Sequence, residues 1–251
     1  SAFSYVSVGK LSKIKIPLPP IEKQQEIVDE LDNYQEIVDG AKQIIDSYEP
    51  QIEIEQKWGF IEIEKISEIR PKKSEISKIT TNKEVSFVPM SILNDHNPNF
   101  SPTEKKIISE VFQGYTYFRD NDVLLAKITP CFENGKSGIA KNLKNGIGFG
   151  STEFIVIRAN QEKVLPDWVY YFISQQTFID HGKKTMTGSA GQQRININFV
   201  KNYKIPVPKI ETQKQLISQI NNERSLIQAN IELTKIMNNK IQKKLNFIWG
   251  K

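Results

Sequence analysis

The chain is 251 residues long yet has one cysteine, Cys131, two histidines and three methionines. A single thiol excludes an internal disulfide and a multi-thiolate metal site, and it suits a reducing compartment. His96 and His181 form no placeable triad with Cys131, so the thiol reads as incidental rather than nucleophilic. No apolar run approaches the roughly 20 residues that span a bilayer. No secretory leader is visible either, so the expected location is the cytoplasm, with no membrane partner. Apolar residues make up 38%, low for a compact globule of this length. Long helices with much exposed surface account for such a deficit.

Catalytic signatures are missing too. Gly135-Lys136-Ser137 ends like a phosphate-binding loop. Pro130 stands where that loop needs its leading glycine, and a strand rather than a helix is expected next. His96-Asn97-Pro98-Asn99-Phe100 approaches the Asn-Pro-Pro-Phe of DNA amino-methyltransferases. Asn99 replaces the second proline, and no glycine-rich turn precedes it to hold a methyl donor, so a turn is expected there. The sequence therefore points to a chain that is not an enzyme, with no catalytic residue, no metal and no cofactor of its own.

What is present is a repeat. Ile16-Pro17-Leu18-Pro19-Pro20-Ile21-Glu22-Lys23-Gln24 recurs 189 residues later as Ile205-Pro206-Val207-Pro208-Lys209-Ile210-Glu211-Thr212-Gln213, identical at six of nine positions. Each copy runs into a long polar segment with helical apolar spacing. After Pro20 a seam is predicted through Ile21, Gln24, Val28, Leu31, Tyr34, Val38, Ala41, Ile45 and Tyr48, broadened by Ile27, Ile37 and Ile44, with Pro50 as the stop. After Pro208 the matching seam is Ile210, Gln213, Ile217, Ile220, Ile227, Ile231, Thr234, Met237, Ile241, Leu245 and Ile248. Residues 19–56 carry eleven acids and two lysines, and residues 209–251 carry eight basic residues and three acids. Opposite charge and matching stripes predict a coiled coil between the two helices. The first helix enters the intervening block by its C-terminal end and the second leaves it by its N-terminal end, so the pair should be antiparallel.

Between the helices a mixed, strand-rich block is expected. Strands are predicted over 60–64, 85–90, 122–128, 137–140 and 153–158, and helices over 166–176 and 178–184. The stretch Thr187-Gly188-Ser189-Ala190-Gly191-Gln192-Gln193-Arg194 reads as a loop. The fold class is thus α+β, one strand-rich α/β domain plus two long helices in an antiparallel coiled coil. Residues 57–208 carry a net charge of +6, which suits an anionic partner. Basic residues gather at its turns: Lys72 and Lys73, Lys127 with Thr129 at a strand end, Lys136, then Lys183, Lys184, Gln192 and Arg194. Lysine and arginine neutralise phosphates, and glutamine and arginine make paired contacts to base edges.

These features, in this order, resemble a type I restriction-modification specificity subunit. The resemblance rests on the two Lys-Ile-Pro-x-Pro segments at Lys15 and Lys204, on Asp122-Val123-Leu124-Leu125-Ala126-Lys127-Ile128-Thr129-Pro130, on Gly148-Phe149-Gly150-Ser151-Thr152-Glu153-Phe154 and on Thr187-Gly188-Ser189-Ala190. It covers essentially the whole chain. It implies a non-catalytic DNA reader with a target recognition domain at 57–207, conserved helices at 19–56 and 208–251, and the tail of a first recognition domain at 1–18. The form resembled is a half-length one. It implies double-stranded DNA and methyltransferase subunits as partners, with a restriction subunit and a second copy of the chain as further ones. S-adenosylmethionine would bind the methyltransferase, not this chain. The acidic face of the first helix, Glu22, Glu26, Asp29, Glu30 and Glu36, is the expected dock for the methyltransferase. The competing expectations are the specificity module of a type IIB-like system and a coiled-coil adaptor that never touches DNA.

Overall fold

The computed structural model describes residue 9 and residues 16–48, 51–93 and 98–249. Most of the expected tail at 1–18, the His96-Asn97 turn and the Pro50 stop lie outside these residues. The chain divides into two compact units, Glu53–Ser218 and a second made of residues up to Ile52 with Gln219–Lys251.

The second unit is the paired-helix unit. Helix α1 spans Ile21–Ser47, and proline at its start suits the first turn, where an N–H would go unpaired anyway. Its covered stripe is Gln24, Ile27, Leu31, Tyr34, Val38, Ala41 and Ile45, alternating steps of three and four. Val28 departs from the expected seam: it is 47% exposed, and Ile27 takes its place because 24–27–31 keeps the alternation where 24–28–31 breaks it. Ile21, Ile37, Ile44 and Tyr48 are exposed as well. Helix α7, Ile210–Ile248, begins in the first unit and runs on into this one.

Within the paired-helix unit Lys244 bonds to Glu30, the Lys240 ammonium lies 5.3 Å from the centre of the Tyr34 ring, and nearby Glu223 raises the pKa of the Tyr48 hydroxyl. Positions rising along α1 thus meet positions falling along α7, and the helices are antiparallel. Val38, Ala41, Ile220 and Met237 are buried, so apolar contact along the stripe holds the pair and the charges decorate it.

The first unit, Glu53–Ser218, holds β1 (Phe60–Glu62), α2 (Ile63–Ile66), β2 (Ser67–Ile69), β3 (Glu84–Val88), β4 (Glu104–Ile107), α3 (Ile108–Val111), β5 (Thr116–Arg119), β6 (Asp122–Ala126), β7 (Ser137–Ile139), β8 (Ile147–Gly150), β9 (Phe154–Ala159), α4 (Pro166–Ile173), α5 (Gln176–Lys183), α6 (Ile197–Asn202), β10 (Lys204–Pro206) and the start of α7. The predicted first strand is cut short because residues 63–66 turn helical. Two four-stranded sheets form, in orders β2-β9-β6-β7 and β4-β3-β8-β5, with a two-stranded ribbon of β1 and β10. All pairings are antiparallel except β3 with β8.

Val88 and Phe118 of one sheet meet Leu124, Phe154 and Val156 of the other in a shared core. Each fully buried side chain of this kind contributes roughly 1.5–3 kcal/mol. Strand β8 reads Gly-Phe-Gly for a packing reason. A β-carbon at Gly148 would come within 2.1 Å of the Phe118 ring, and one at Gly150 within 2.3 Å of the Val88 carbonyl. The Phe149 ring between them points to the other face, into a second cluster with Val85, Tyr117, Ile108 and Val111. Strand β6 is buried along its whole length, as expected of a central strand covered on both faces. Asp122, at its start, is buried and takes two bonds from Arg158 across the β6–β9 pairing, 2.8 and 2.7 Å. That pair leaves β6 fixed in register just ahead of the turn it feeds.

Candidate nucleic-acid interface

The end of β6 runs into Lys127-Ile128-Thr129-Pro130, and the last of these bonds is a cis peptide. This segment does not end in a free turn. Ile195 N donates to Lys127 O and Thr129 N to Gln193 O, both 2.9 Å. Arg194 in turn pairs with Thr187, donating at 2.9 Å and accepting at 3.0 Å. On the other side Lys127 N donates to Glu153 O, 2.9 Å. Three stretches remote in sequence, 127–129, Glu153 and the loop 187–195, thus lie side by side, and Gly188 lets that loop fold back on itself. It adopts φ of +127°, and a β-carbon there would meet Gln192 O at 2.8 Å.

The side chains converge on Glu153. Arg194 donates to it through Nη2 at 2.8 Å and Nε at 3.0 Å, and through Nη1 to Gln192 O at 3.2 Å. Lys127 Nζ lies 3.7 Å from the same carboxylate and donates to Thr152 O at 2.9 Å. The bond from Arg194 holds the Glu153 carboxyl below its ordinary value. Burial pushes the Lys127 amine down from its usual value, against the pull of Glu153. Thr129 Oγ1 is shielded from solvent and has no hydrogen-bond partner.

Of the residues expected from sequence, Lys127, Thr129, Gln192 and Arg194 are therefore brought together. Lys136 sits beside them in the β6–β7 turn, its carbonyl accepting from Ala126 N at 3.0 Å. Lys183 and Lys184 are exposed at the end of α5, where Lys183 pairs with Asp180 at 3.6 Å and Met186 leads on to Thr187. Lys72 is exposed after β2. Lys73 turns inward: its Nζ donates to Phe112 O at 2.7 Å and lies 5.9 Å from the Phe112 and Phe149 ring centres. Burial lowers its pKa.

Glu153 was not among the expected site residues, and Arg70 opens the basic run Arg70-Pro71-Lys72-Lys73. Glu153 is an acid in a set sought by positive charge. Arg70, exposed with φ of +59°, lines a cleft of about 220 Å³ with Lys73, Tyr115, Thr116 and Thr152. Its place after β2 was legible, but its conformation was not.

In the paired-helix unit Glu22, Glu26, Asp29 and Glu36 are exposed. Glu30 differs, because Lys244 and Tyr34 both engage it and it faces the partner helix. Among the described residues no helix is long and apolar enough to cross a membrane.

Fold and site define an α+β binding module joined to a paired-helix unit. Residues 1–49 and 55–243 match the family model of the type I restriction modification DNA specificity domain, and the chain belongs to that family. It is 38% identical over 169 residues to the EcoEI type I restriction enzyme specificity subunit of Escherichia coli. It is 35% identical over 182 residues to the EcoAI specificity subunit of the same organism. These matches take in 67% and 72% of this chain but 28% and 30% of the relatives. The same fold occurs in a chain solved in work on assembly and conformational transition of a type I restriction-modification system. That likeness has TM-score 0.56 and 16% identity, covering 98% of this chain and 64% of that one. It also occurs in the HsdS subunit of Thermoanaerobacter tengcongensis, with TM-score 0.50 and 15% identity over 97% of this chain and 63% of that one.

Proposed function

We propose that this chain is the non-catalytic DNA-specificity component of a type I restriction-modification system, working in the cytoplasm. Residues 57–207 are the target recognition domain and read one half-site on double-stranded DNA. The observation that carries this is the cluster in which Arg194 and Lys127 meet at Glu153, with Thr129 and Gln192 on the adjoining backbone, in a unit with net positive charge and within a DNA-specificity family. Lys72, Lys183 and Lys184, exposed nearby in the same unit, hold phosphates and carry the salt-dependent part of affinity. Residues 19–56 and 208–251 serve as ruler and dock. At 27 residues, α1 is about 40 Å long at 1.5 Å per residue. At about 3.4 Å per base pair, that is an upper bound of about twelve base pairs on an unspecified spacer.

The exposed acids Glu22, Glu26, Asp29 and Glu36 offer a surface to a methyltransferase subunit, which brings the S-adenosylmethionine and the chemistry. A restriction subunit joins that assembly. Two recognition domains, supplied by a second copy of the chain or by a longer chain, make a bipartite reader.

The test is methylation mapping: co-express the chain with a methyltransferase subunit encoded beside it and sequence host DNA for N6-methyladenine. A palindromic bipartite motif supports two copies per reader. A motif with two unlike halves, or a single short one, supports DNA reading without that pairing. A folded complex that methylates nothing overturns the reading and favours an adaptor without DNA contact.

A further inference from the structure

We propose that Arg194 reads a guanine, and that Glu153 is the positioning residue that makes it able to do so. The inference rests on the DNA-reading function proposed above and adds the base and the device.

A guanidinium has five N–H groups in one plane. Glu153 takes two, one from Nε and one from Nη2, and Gln192 O takes one from Nη1. One N–H on each terminal nitrogen is left, side by side on the end of the group, and the side chain is 43% exposed. Two adjacent donors match the O6 and N7 acceptors that guanine shows in the major groove. Adenine offers an acceptor beside a donor there, and thymine an acceptor beside a methyl.

Rigidity is built in. The Arg194 backbone is bridged to Thr187 on one side and to Ile128 on the other. The carboxylate that grips the guanidinium follows Thr152, whose carbonyl holds Lys127. A side chain held this way loses little rotamer freedom on contact, and that loss is a main cost of using a long side chain as a reader.

Charge argues against the simpler role. A phosphate approaching Arg194 would meet the Glu153 carboxylate 2.8 Å from the guanidinium, an anion beside an anion. A guanine edge is neutral and needs oriented donors rather than net charge. Lys127 does not compete for the base. Its ammonium is already engaged with Thr152 O and Glu153, so it supports the carboxylate from behind.

The experiment uses the purified full chain and a pool of randomised DNA duplexes, sequenced after binding, with non-specific affinity followed against salt. The wild type is expected to enrich a motif containing a G·C pair that depends on Arg194. Arg194→Lys keeps the charge but loses the fork, and should cut discrimination at that one position about ten-fold or more while non-specific affinity and its salt slope stay unchanged. Arg194→Gln should move the preference there toward adenine. Glu153→Gln should relax the same position and leave non-specific binding equal or tighter, since an anion has been removed. Thermal melts confirm that each variant is folded.

If Arg194→Lys behaves as wild type while Arg194→Gln weakens every sequence alike, Arg194 is a phosphate contact and the proposal falls with DNA reading intact. Full guanine preference in a folded Glu153→Gln variant overturns the positioning role. A wild type that enriches no sequence overturns DNA reading, and this inference with it.

Discussion

Gln24 and Gln213 hold the same place in the two copies of the repeated segment, and each donates its side-chain amide to the carbonyl five residues back. The bond runs to Pro19 at 2.7 Å in one copy and to Pro208 at 2.8 Å in the other. There the likeness stops. Gln213 is fully buried; it also donates to Lys163 O at 3.0 Å and accepts from Leu165 N at 2.9 Å. Ile205 beside it is 0% exposed, whereas its counterpart Ile16 is 68% exposed. The repeat therefore encodes a local device, a proline-led helix start closed by a glutamine. Burial is added by residues outside the repeat, the loop at 163–165 and strand β1 paired with β10. The shared residues give the same glutamine-to-proline closure in both copies and quite different energetic weight.

The comparison breaks most sharply at the helix that follows the first copy. Leu31 lies on the covered stripe of α1, and Leu31→Pro removes a helix hydrogen bond and inserts a ring clash, about 3 kcal/mol or more. The expected outcome is loss of the α1–α7 pairing and of any methyltransferase complex. Circular dichroism should show reduced helix content, and the unit Glu53–Ser218 should keep its own melting transition. Joint collapse of both transitions would show that the two units are not independent.

Next come the paired isoleucines. Ile205→Ala opens a hole in a buried site and should cost about 3 kcal/mol. Ile16→Ala, at the equivalent position, should stay within about 0.5 kcal/mol. Gln213→Leu keeps the volume but strands the Leu165 N–H and the carbonyls of Lys163 and Pro208, for about 2 kcal/mol or more, against little or nothing for Gln24→Leu. Urea unfolding reads all four. Equal losses in the two copies would mean that the repeat itself, not the burial around it, sets stability.

The same contrast explains what was legible in sequence. The long helices were, because a stripe sustained over many turns averages out local error; the slips, all exposed, are Val28 (expected where Ile27 sits), the seam ends Ile21 and Tyr48, and the flanking Ile37 and Ile44. Strands β3, β6, β7 and β9 were found: β6 and β9 are central strands whose burial reads as apolar runs, whereas β7, Ser-Gly-Ile, lies at the sheet edge. Strands β2, β4, β5, β8 and β10 and helix α6 were not. They are three to six residues long, and β4 reads Glu-Lys-Lys-Ile, a polar strand held by its backbone pairing with β3 and by Lys106 lying 3.9 Å from the Phe87 ring centre. At the candidate site the cations were legible as a composition, but their organisation was not. Glu153 bonds Arg194 across 41 residues and Lys73 reaches Phe112 across 39, separations no local pattern reports.

The smallest effect belongs to the charges between the helices. Lys244 bonds Glu30, and that bond, helped by the Tyr34 hydroxyl, holds the Glu30 carboxyl below the ordinary value of 4.5. A carboxylate whose folded pKa is depressed adds stability that is present above its unfolded value and fades as pH falls through the folded one. The paired-helix unit should therefore lose melting temperature from just below pH 4.5 downward, and Glu30→Gln should remove part of that slope. Both groups are well solvated, so the effect should shrink with added salt. Glu30→Lys and Lys244→Glu should each lower the melting temperature, and the double reversal should recover part of the loss. No recovery would mean that the apolar stripe alone specifies the pairing, and that the opposite charges of the two helices serve their outer faces instead.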